Sequence, residues 1–359
     1  MTLDDPALFE RADPHGARET LAAFPAQCRA ALALRAAPPM ALPRPTLVVL
    51  VGMGGSAAGA ELIAGCAAER LDVPIVVHRG YGLPPTAGPH TLVVASSYSG
   101  DTAEVISAAE ASLERRVPLV ALTAGGRLAA LAAARGLSRV RLPDGLMPRM
   151  ALGYLFFPSL RILADAGLAI ATDAEIAEAI DVVTALAAEL GPARPAAQNE
   201  AKRLALAIGA RLPAFYGGPA TGGVAYRWKT EIEENAKRFA IAGTIPEMNH
   251  NELEAWRAPA AATMHAVFLR DRDELPEVGR RFAVMRDVIA AAAGSVSECS
   301  TRGAGRAARL LGLAYLGAWT SYYLAVGAGT DPWPIPVLDE MKRRLRATCL
   351  LYTSDAADE

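Results

Sequence analysis

Cysteine is scarce in this 359-residue chain, and the four present, Cys28, Cys66, Cys299 and Cys349, form no CxxC pair and none of the spacings of a disulfide framework. Scattered in this way they are expected to be buried thiols in a reducing compartment. Histidine is almost as sparse: five residues, dispersed, with no HExxH and no paired His-carboxylate pattern. No metal site and no cofactor are therefore expected, and any chemistry has to come from side chains alone. Long apolar runs are missing too, none approaching the roughly 18 residues that cross a bilayer. The opening segment is acidic, with Asp4, Asp5, Glu10 and Asp13, unlike a signal peptide. No membrane association is expected, and the cytoplasm is the expected location. Nor is there an excess of charge of either sign: 36 Lys and Arg stand against 38 Asp and Glu, a net charge of -2, with no basic face interleaved with aromatics. Nucleic acid is excluded as an expected partner.

What the chain does have is apolar material, 52% of its residues, enough at this length to bury two ordinary cores. Residues 8–35 carry apolar positions at helical spacing and predict one or two N-terminal helices, ended by proline-rich text from Pro38 to Pro45. Short runs rich in Val, Leu and Ile at 46–51, 73–77, 91–96 and 117–122 read as buried strands, with helices over about 56–69 and 102–115 between them. This alternation implies a parallel sheet with right-handed crossovers. Helical text from 150 to 190 ends at Gly191, Pro192 and Pro195, a predicted linker. A second alternation follows: strand 213–217, helix 221–241, strand 264–269, helix 277–293, strand 295–299 and helix 305–326. The expected fold is thus α/β, with N-terminal helices and a linker over 1–45, a first domain over 46–190 and a second over 195–346. Residues 349–359 depart abruptly from the Ala/Arg-rich text before them, resemble the translation of a sequencing adapter and are set aside.

Two loops carry the candidate binding chemistry. The first strand runs into Gly52-Met53-Gly54-Gly55-Ser56-Ala57 and then a helix, so that backbone amides can approach an anion at a helix N-terminus. The same GxGxxA spacing fits a dinucleotide fingerprint or a turn that only serves close packing. The dinucleotide version needs an acidic residue at the end of the second strand, where His78 and Arg79 stand instead. The third strand ends in Ser96-Ser97-Tyr98-Ser99-Gly100-Asp101-Thr102, again opening a helix and placing hydroxyls beside free N–H groups, as a phosphate monoester requires. The plainer alternative is that Ser99, Asp101 or Thr102 caps that helix.

These loops resemble the paired phosphate loops of the SIS (sugar isomerase) fold. Pro148-Arg149 with Ala151-Leu152-Gly153-Tyr154, then Glu234-Asn235-Ala236-Lys237, then Pro246-Glu247-Met248-Asn249-His250-Asn251-Glu252 extend the likeness to the bifunctional phosphoglucose/phosphomannose isomerase family, from about residue 45 to 346. The resemblance implies two SIS-type domains, each a parallel sheet flanked by helices in an α-β-α sandwich, the first binding phosphate and the second carrying a catalytic Glu and His. It also implies metal-independent interconversion of glucose 6-phosphate, and of mannose 6-phosphate, with fructose 6-phosphate. Gly54, Gly55, Ser56, Ser97, Ser99 and Thr102 would hold the phosphate. One departure is Ala57, where the family loop often has a glycine directly after the serine.

Aldose–ketose exchange needs ring opening, a proton shuttle between two adjacent carbons, and stabilisation of the enediolate. Glu234 matches the family's catalytic glutamate, and a carboxylate suits the shuttle; alone, the cluster Glu231, Glu233 and Glu234 reads as a solvated helix face. His250 is the candidate for ring opening, because histidine as a residue type both gives and takes protons, though a lone histidine there also reads as a surface or capping residue. The family donates this histidine across a subunit interface, which implies a homodimer. Arg149 could hold the enediolate oxygen with its fixed fork of donors, or simply pack at a helix start. Lys342 matches a family lysine near the ring oxygen, though its own neighbourhood reads as a solvated helix. Two rival readings stand beside the enzyme: a sugar-phosphate sensor of the same fold, which needs the hydroxyls and not Glu234, and a nicotinamide-dependent oxidoreductase, which lacks its acidic residue.

Overall fold

The computed structural model describes residues 3–40, 42–257, 259–292 and 294–354, with the main chain alone at 260 and 346–354. Three short helices open the chain, α1 (Pro6–Ala12), α2 (Ala17–Ala22) and α3 (Phe24–Ala31). One or two were expected. Asp13 splits them, because its buried carboxylate accepts from the main-chain N–H of Ala17 and Arg18 and starts α2 afresh.

The first sheet takes β1 (Ala36–Ala37), β2 (Leu47–Val51), β3 (Ile75–His78), β4 (Thr91–Ser96), β5 (Leu119–Thr123) and β6 (Ser138–Arg141), with helices α4 (Gly54–Ala67), α5 (Ala103–Glu114) and α6 (Gly126–Arg135) as crossovers. Its order is β1-β6-β5-β4-β2-β3, parallel except for the antiparallel β1. Two helices follow, α7 (Leu152–Asp165) and α8 (Asp173–Leu190), the latter opened by a capping box between Thr172 and Glu175. After a turn at 191–199, whose Asn199 caps the next helix, come α9 (Glu200–Ile208), β7 (Leu212–Gly217), α10 (Gly222–Glu231), β8 (Ile241–Thr244), β9 (Met264–Arg270), α11 (Pro276–Ala291), β10 (Ser295–Ser300), α12 (Arg306–Gly327) and α13 (Pro336–Ser354). The second sheet is all parallel, in the order β10-β9-β7-β8. The fold is α/β with parallel-strand sheets flanked by helices.

Strand alternation explains the layering. In β2 and β4, Val48, Leu50, Leu92 and Val94 face an inner layer of helices, while Val49, Val51, Val93 and Ala95 face α5 and α6 outside. In the second sheet Phe215, Val267 and Leu269 face the same inner layer, and Tyr216, Phe268 and Ala266 face α11. The shared layer is built on α12, whose residues from Ala307 to Val326 are buried on every side. Trp228 of α10 locks onto it, donating from Nε1 to the Leu313 carbonyl at 3.0 Å over Gly317, where a Cβ would lie 2.2 Å from that nitrogen. Among the described residues no helix is long and apolar enough to cross a membrane. The segment set aside at 349–359 continues α13 as far as Ser354, and 355–359 lie outside the described residues.

Several elements differ from the sequence reading, which expected nothing at β1, α6 or α9. β6 is a four-residue strand with Val140 as its one apolar residue, and β8 is a four-residue edge strand containing Gly243; neither has the apolar run that marks a buried strand. The helix expected over 221–241 stops early: α10 widens into a π turn at Ile232–Ala236 and ends at Lys237, which adopts a left-handed conformation with φ 55°.

Candidate functional site

β2 has β3 on one side and β4 on the other, so the chain leaves it in one direction and returns in the other. That makes the crevice beyond the ends of β2 and β4 a topological switch point, where parallel sheets bind ligands. Both Gly/Ser loops open there. The first starts α4 with Gly54 at φ +50°, no side chain caps the helix, and its first amides stay available to an anion. Gly55 presses against the neighbouring turn: a Cβ there would stand 2.6 Å from the main-chain N of Arg149. The buried Ser56 hydroxyl accepts from the Tyr98 N–H at 3.2 Å and so ties the first loop to the second.

In the second loop Ser97 and Thr102 share a hydrogen bond between hydroxyls at 2.9 Å, and Gly100 N–H donates to Ser97 Oγ at 3.0 Å. Ser99 is exposed, accepting from the Asp101 N–H at 3.3 Å. Thr102 occupies the N-cap position of α5 but makes no capping bond. Asp101 accepts instead from the Arg127 N–H at the start of α6. The hydroxyls therefore do not spend themselves on helix capping. Gly100, at φ +78°, is obligatory because a Cβ would fall on the Gly125 carbonyl.

Arg149 connects this crevice to the second half of the chain. It sits on a 3-10 turn at Pro148–Met150 before α7, its side chain 3% exposed. Its Nε donates to Asn235 Oδ1 at 2.7 Å, its Nη2 to the Pro332 and Trp333 carbonyls at 2.8 and 2.7 Å, and its Nη1 to Glu234 Oε2 at 3.3 Å. Burial lowers its pKa, and the carboxylates of Glu234 and Glu231 oppose that shift. The guanidinium stays charged. Glu234 rides on the π turn after α10, its side chain part-buried at 22% exposure. A π turn at this place gives Glu234 and Asn235, adjacent in sequence, a common target in Arg149.

The acidic cluster divides into three unlike groups. Glu233 pairs with Lys229 on the helix surface, as a solvated face would. Glu231 is buried against Arg227, and burial pushes its carboxyl up to about 7 despite the opposing guanidinium. Of the three, Glu234 is the one that meets Arg149 at the crevice.

His250 and Lys342 are not brought into this contact set. His250 is exposed at the end of a 3-10 turn after β8, and Lys342 is exposed on α13 with Asp339 at 3.9 Å as its ion-pair partner. The loop before α13 does reach the site, through the Pro332 and Trp333 carbonyls. Sequence reading passed over Asn235 and Lys237, although both lie in the motif it quoted. Lys237 donates to the Glu234 and Pro332 carbonyls, and burial, reinforced by Arg149, pushes its amine down to about 8. Arg227 was also passed over, and Glu231, read as part of a solvated helix face, is buried instead; their four-residue spacing marks a helical pair but says nothing of its burial. Among the described residues no group of three His, Cys, Asp or Glu is arranged to hold a metal ion.

Residues 197–345 match the sequence signature of the bacterial phospho-glucose isomerase C-terminal SIS domain. The chain is 36% identical over 301 residues, 83% of its length and 89% of the relative's, to the bifunctional phosphoglucose/phosphomannose isomerase of Caldicellulosiruptor bescii. It is 28% identical over 298 residues, 83% and 89% of the two chains, to the protein of that name from Thermoplasma acidophilum. Its fold matches the crystal structure of a glucose-6-phosphate isomerase like protein from Thermus thermophilus with a TM-score of 0.64 at 22% identity, covering 94% of this chain and 99% of the other.

Proposed function

We propose, since the chain belongs to the bifunctional phosphoglucose/phosphomannose isomerase family, that it interconverts glucose 6-phosphate and mannose 6-phosphate with fructose 6-phosphate by enediol proton transfer, without a metal. The observation that carries this reading is the Arg149–Glu234 contact: an arginine anchored beside the glycine loop meets a carboxylate from the other half of the chain. The amides of Gly54 and Gly55 and the hydroxyls of Ser56, Ser97, Ser99 and Thr102 hold the phosphate, which fixes the distance of C1 and C2 from the anchor. Glu234 takes the proton from C2 of the open-chain aldose, leaving an enediolate. Arg149 faces the charge that develops on its oxygen. The proton on O2 passes to O1, the carboxyl returns its own proton to C1, C2 becomes the carbonyl carbon, and the ketose forms. Because glucose and mannose differ only in configuration at C2, rotation about C2–C3 lets one base serve both.

Ring opening needs a proton delivered to the ring oxygen and one withdrawn from the anomeric hydroxyl. His250 and Lys342 are assigned to it. Since His250 of this chain is exposed and outside the Arg149 contact set, the reading assigns the role to the partner subunit's His250 in a homodimer. The expected location is the cytoplasm.

The test is a coupled assay with each hexose 6-phosphate in the presence of chelator, comparing the natural protein with Glu234→Gln. A base removed from the proton shuttle costs about 10²–10⁴-fold in turnover, while sugar-phosphate binding survives because the loops are untouched. Binding without turnover in the natural protein would instead establish a sugar-phosphate sensor.

A further inference from the structure

Seven residues before Glu234 lies a pair of buried charges that the proposed reaction does not use. Arg227 and Glu231 stand four apart on α10, their side chains only 5% and 4% exposed, and they form an ion pair through Arg227 Nη2 and Glu231 Oε1. The same Nη2 donates to the main-chain carbonyl of Arg149 at 3.0 Å. Among the described residues Arg227 Nε and Glu231 Oε2 find no hydrogen-bond partner. Both residues line a small cavity of about 20 Å³, together with Arg149 and Asn235.

This arrangement is costly for stability alone. Two charges have left water, and two of their polar atoms find no protein partner, whereas apolar side chains of similar volume would fill the same space. What the pair accomplishes is placement. The turn at Pro148–Met150 is held on one side by Gly55, whose contact with Arg149 leaves no room for a Cβ, and on the other by the Arg227 guanidinium on the Arg149 carbonyl. Arg149 is thus located relative to both the phosphate loop and α10, the helix that carries Glu234 at its end.

We propose that Arg227, with Glu231 as its counter-charge, is a positioning residue for the isomerisation: by gripping the Arg149 carbonyl it keeps the Arg149 guanidinium in register with Glu234 and with the phosphate loop. The proposal rests on the isomerase reading of the same site. Neither residue of the pair touches the sugar. Their loss acts on the proton-transfer step, for which an ångström of misplacement is worth on the order of a hundredfold, and leaves the phosphate loops intact.

The experiment compares the natural full-length protein, Arg227→Met and the double variant Arg227→Met/Glu231→Leu in the coupled assay, with thermal unfolding of each. Arg227→Met alone strands a buried carboxylate and is expected to lower the unfolding midpoint. The double variant removes both charges at nearly constant volume and is expected to recover that midpoint. The proposal expects the double variant, although folded and stable, to keep a kcat lowered about ten- to a hundredfold with KM for glucose 6-phosphate within about twofold of the natural value. Arg227→Lys, which retains one donor toward the carbonyl, should recover part of the kcat. If the double variant regains natural kcat along with its stability, the pair is only structural and the proposal is overturned. If Arg227→Met raises KM and leaves kcat alone, it is overturned equally. If the natural protein turns over neither hexose 6-phosphate, the isomerase reading itself fails and the positioning role falls with it; natural turnover with an unimpaired double variant defeats the positioning role alone.

Discussion

Gly55→Ala tests the join between the phosphate loop and Arg149 at the scale of a single methyl. An added Cβ would lie 2.6 Å from Arg149 N and from the Pro148 carbonyl carbon, and 2.7 Å from the Pro148 carbonyl oxygen. All three are main-chain atoms, so no side chain can swing aside. Ordinary contact begins near 3.4 Å, so the start of α4 and the 148–150 turn have to separate by about 0.8 Å. Overpacking of this kind costs about 1–3 kcal/mol of stability. Because the displaced turn carries Arg149, the same shift moves the guanidinium away from where the bound sugar places its developing charge. A misplacement near 1 Å costs on the order of 10²-fold, so kcat/KM should fall about 10- to 100-fold on both glucose 6-phosphate and mannose 6-phosphate. The assay is the coupled isomerase measurement, paired with thermal unfolding. Gly54→Ala is the control: nothing lies within 4 Å of its added methyl, and the cost inside the protein is that of a left-handed backbone at φ +50°, about 1–2 kcal/mol. It should lower stability while kcat falls less than in Gly55→Ala. If Gly55→Ala keeps kcat/KM within twofold of the natural protein with an unchanged unfolding midpoint, the claimed coupling of loop, turn and Arg149 is refuted.

Two further outcomes are expected. Gly317→Ala should destabilise the protein by about 3 kcal/mol, because its Cβ would stand 2.2 Å from the buried Trp228 indole that holds α10 on α12; chemical denaturation reads this directly, and a loss below about 0.5 kcal/mol would mean the two helices slide freely. Lys237, its amine pushed down to about 8, should be acylated with a pH midpoint near 8 rather than near the ordinary lysine value, since rising pH frees the reactive neutral form earlier. Peptide mapping after labelling across a pH series reads this, and a midpoint at the ordinary lysine value would contradict the crowding of Lys237 by Arg149.

Much of the layering was readable from pattern. The runs at 46–51 and 91–96 became β2 and β4, both buried, because unbroken apolar text is what a strand covered on two faces requires. The Gly and Ser loops were likewise found where the chain leaves those strands. Two strands escaped: β6, mostly polar, and β8, short and interrupted by Gly243, owe their pairing to neighbouring strands that no local window contains. The helix expected over 221–241 overran for the same reason, since helical propensity continues past Ala236 while packing against α12 and the Arg149 contact favour a π turn.

Sequence alone determined the apolar strands, the alternation of strand and helix and the residue types at the strand ends, because period and turn chemistry act over a few neighbouring residues. It also supplied Glu234 and Arg149 as separate candidates. Only the tertiary structure decided that these two residues, 85 positions apart, meet at one crevice, that Glu231 is buried while Glu233 is solvated, and that Arg227 reaches the Arg149 carbonyl. Those facts depend on which helix faces the shared layer around α12, and that is settled by close packing between segments far apart in the chain.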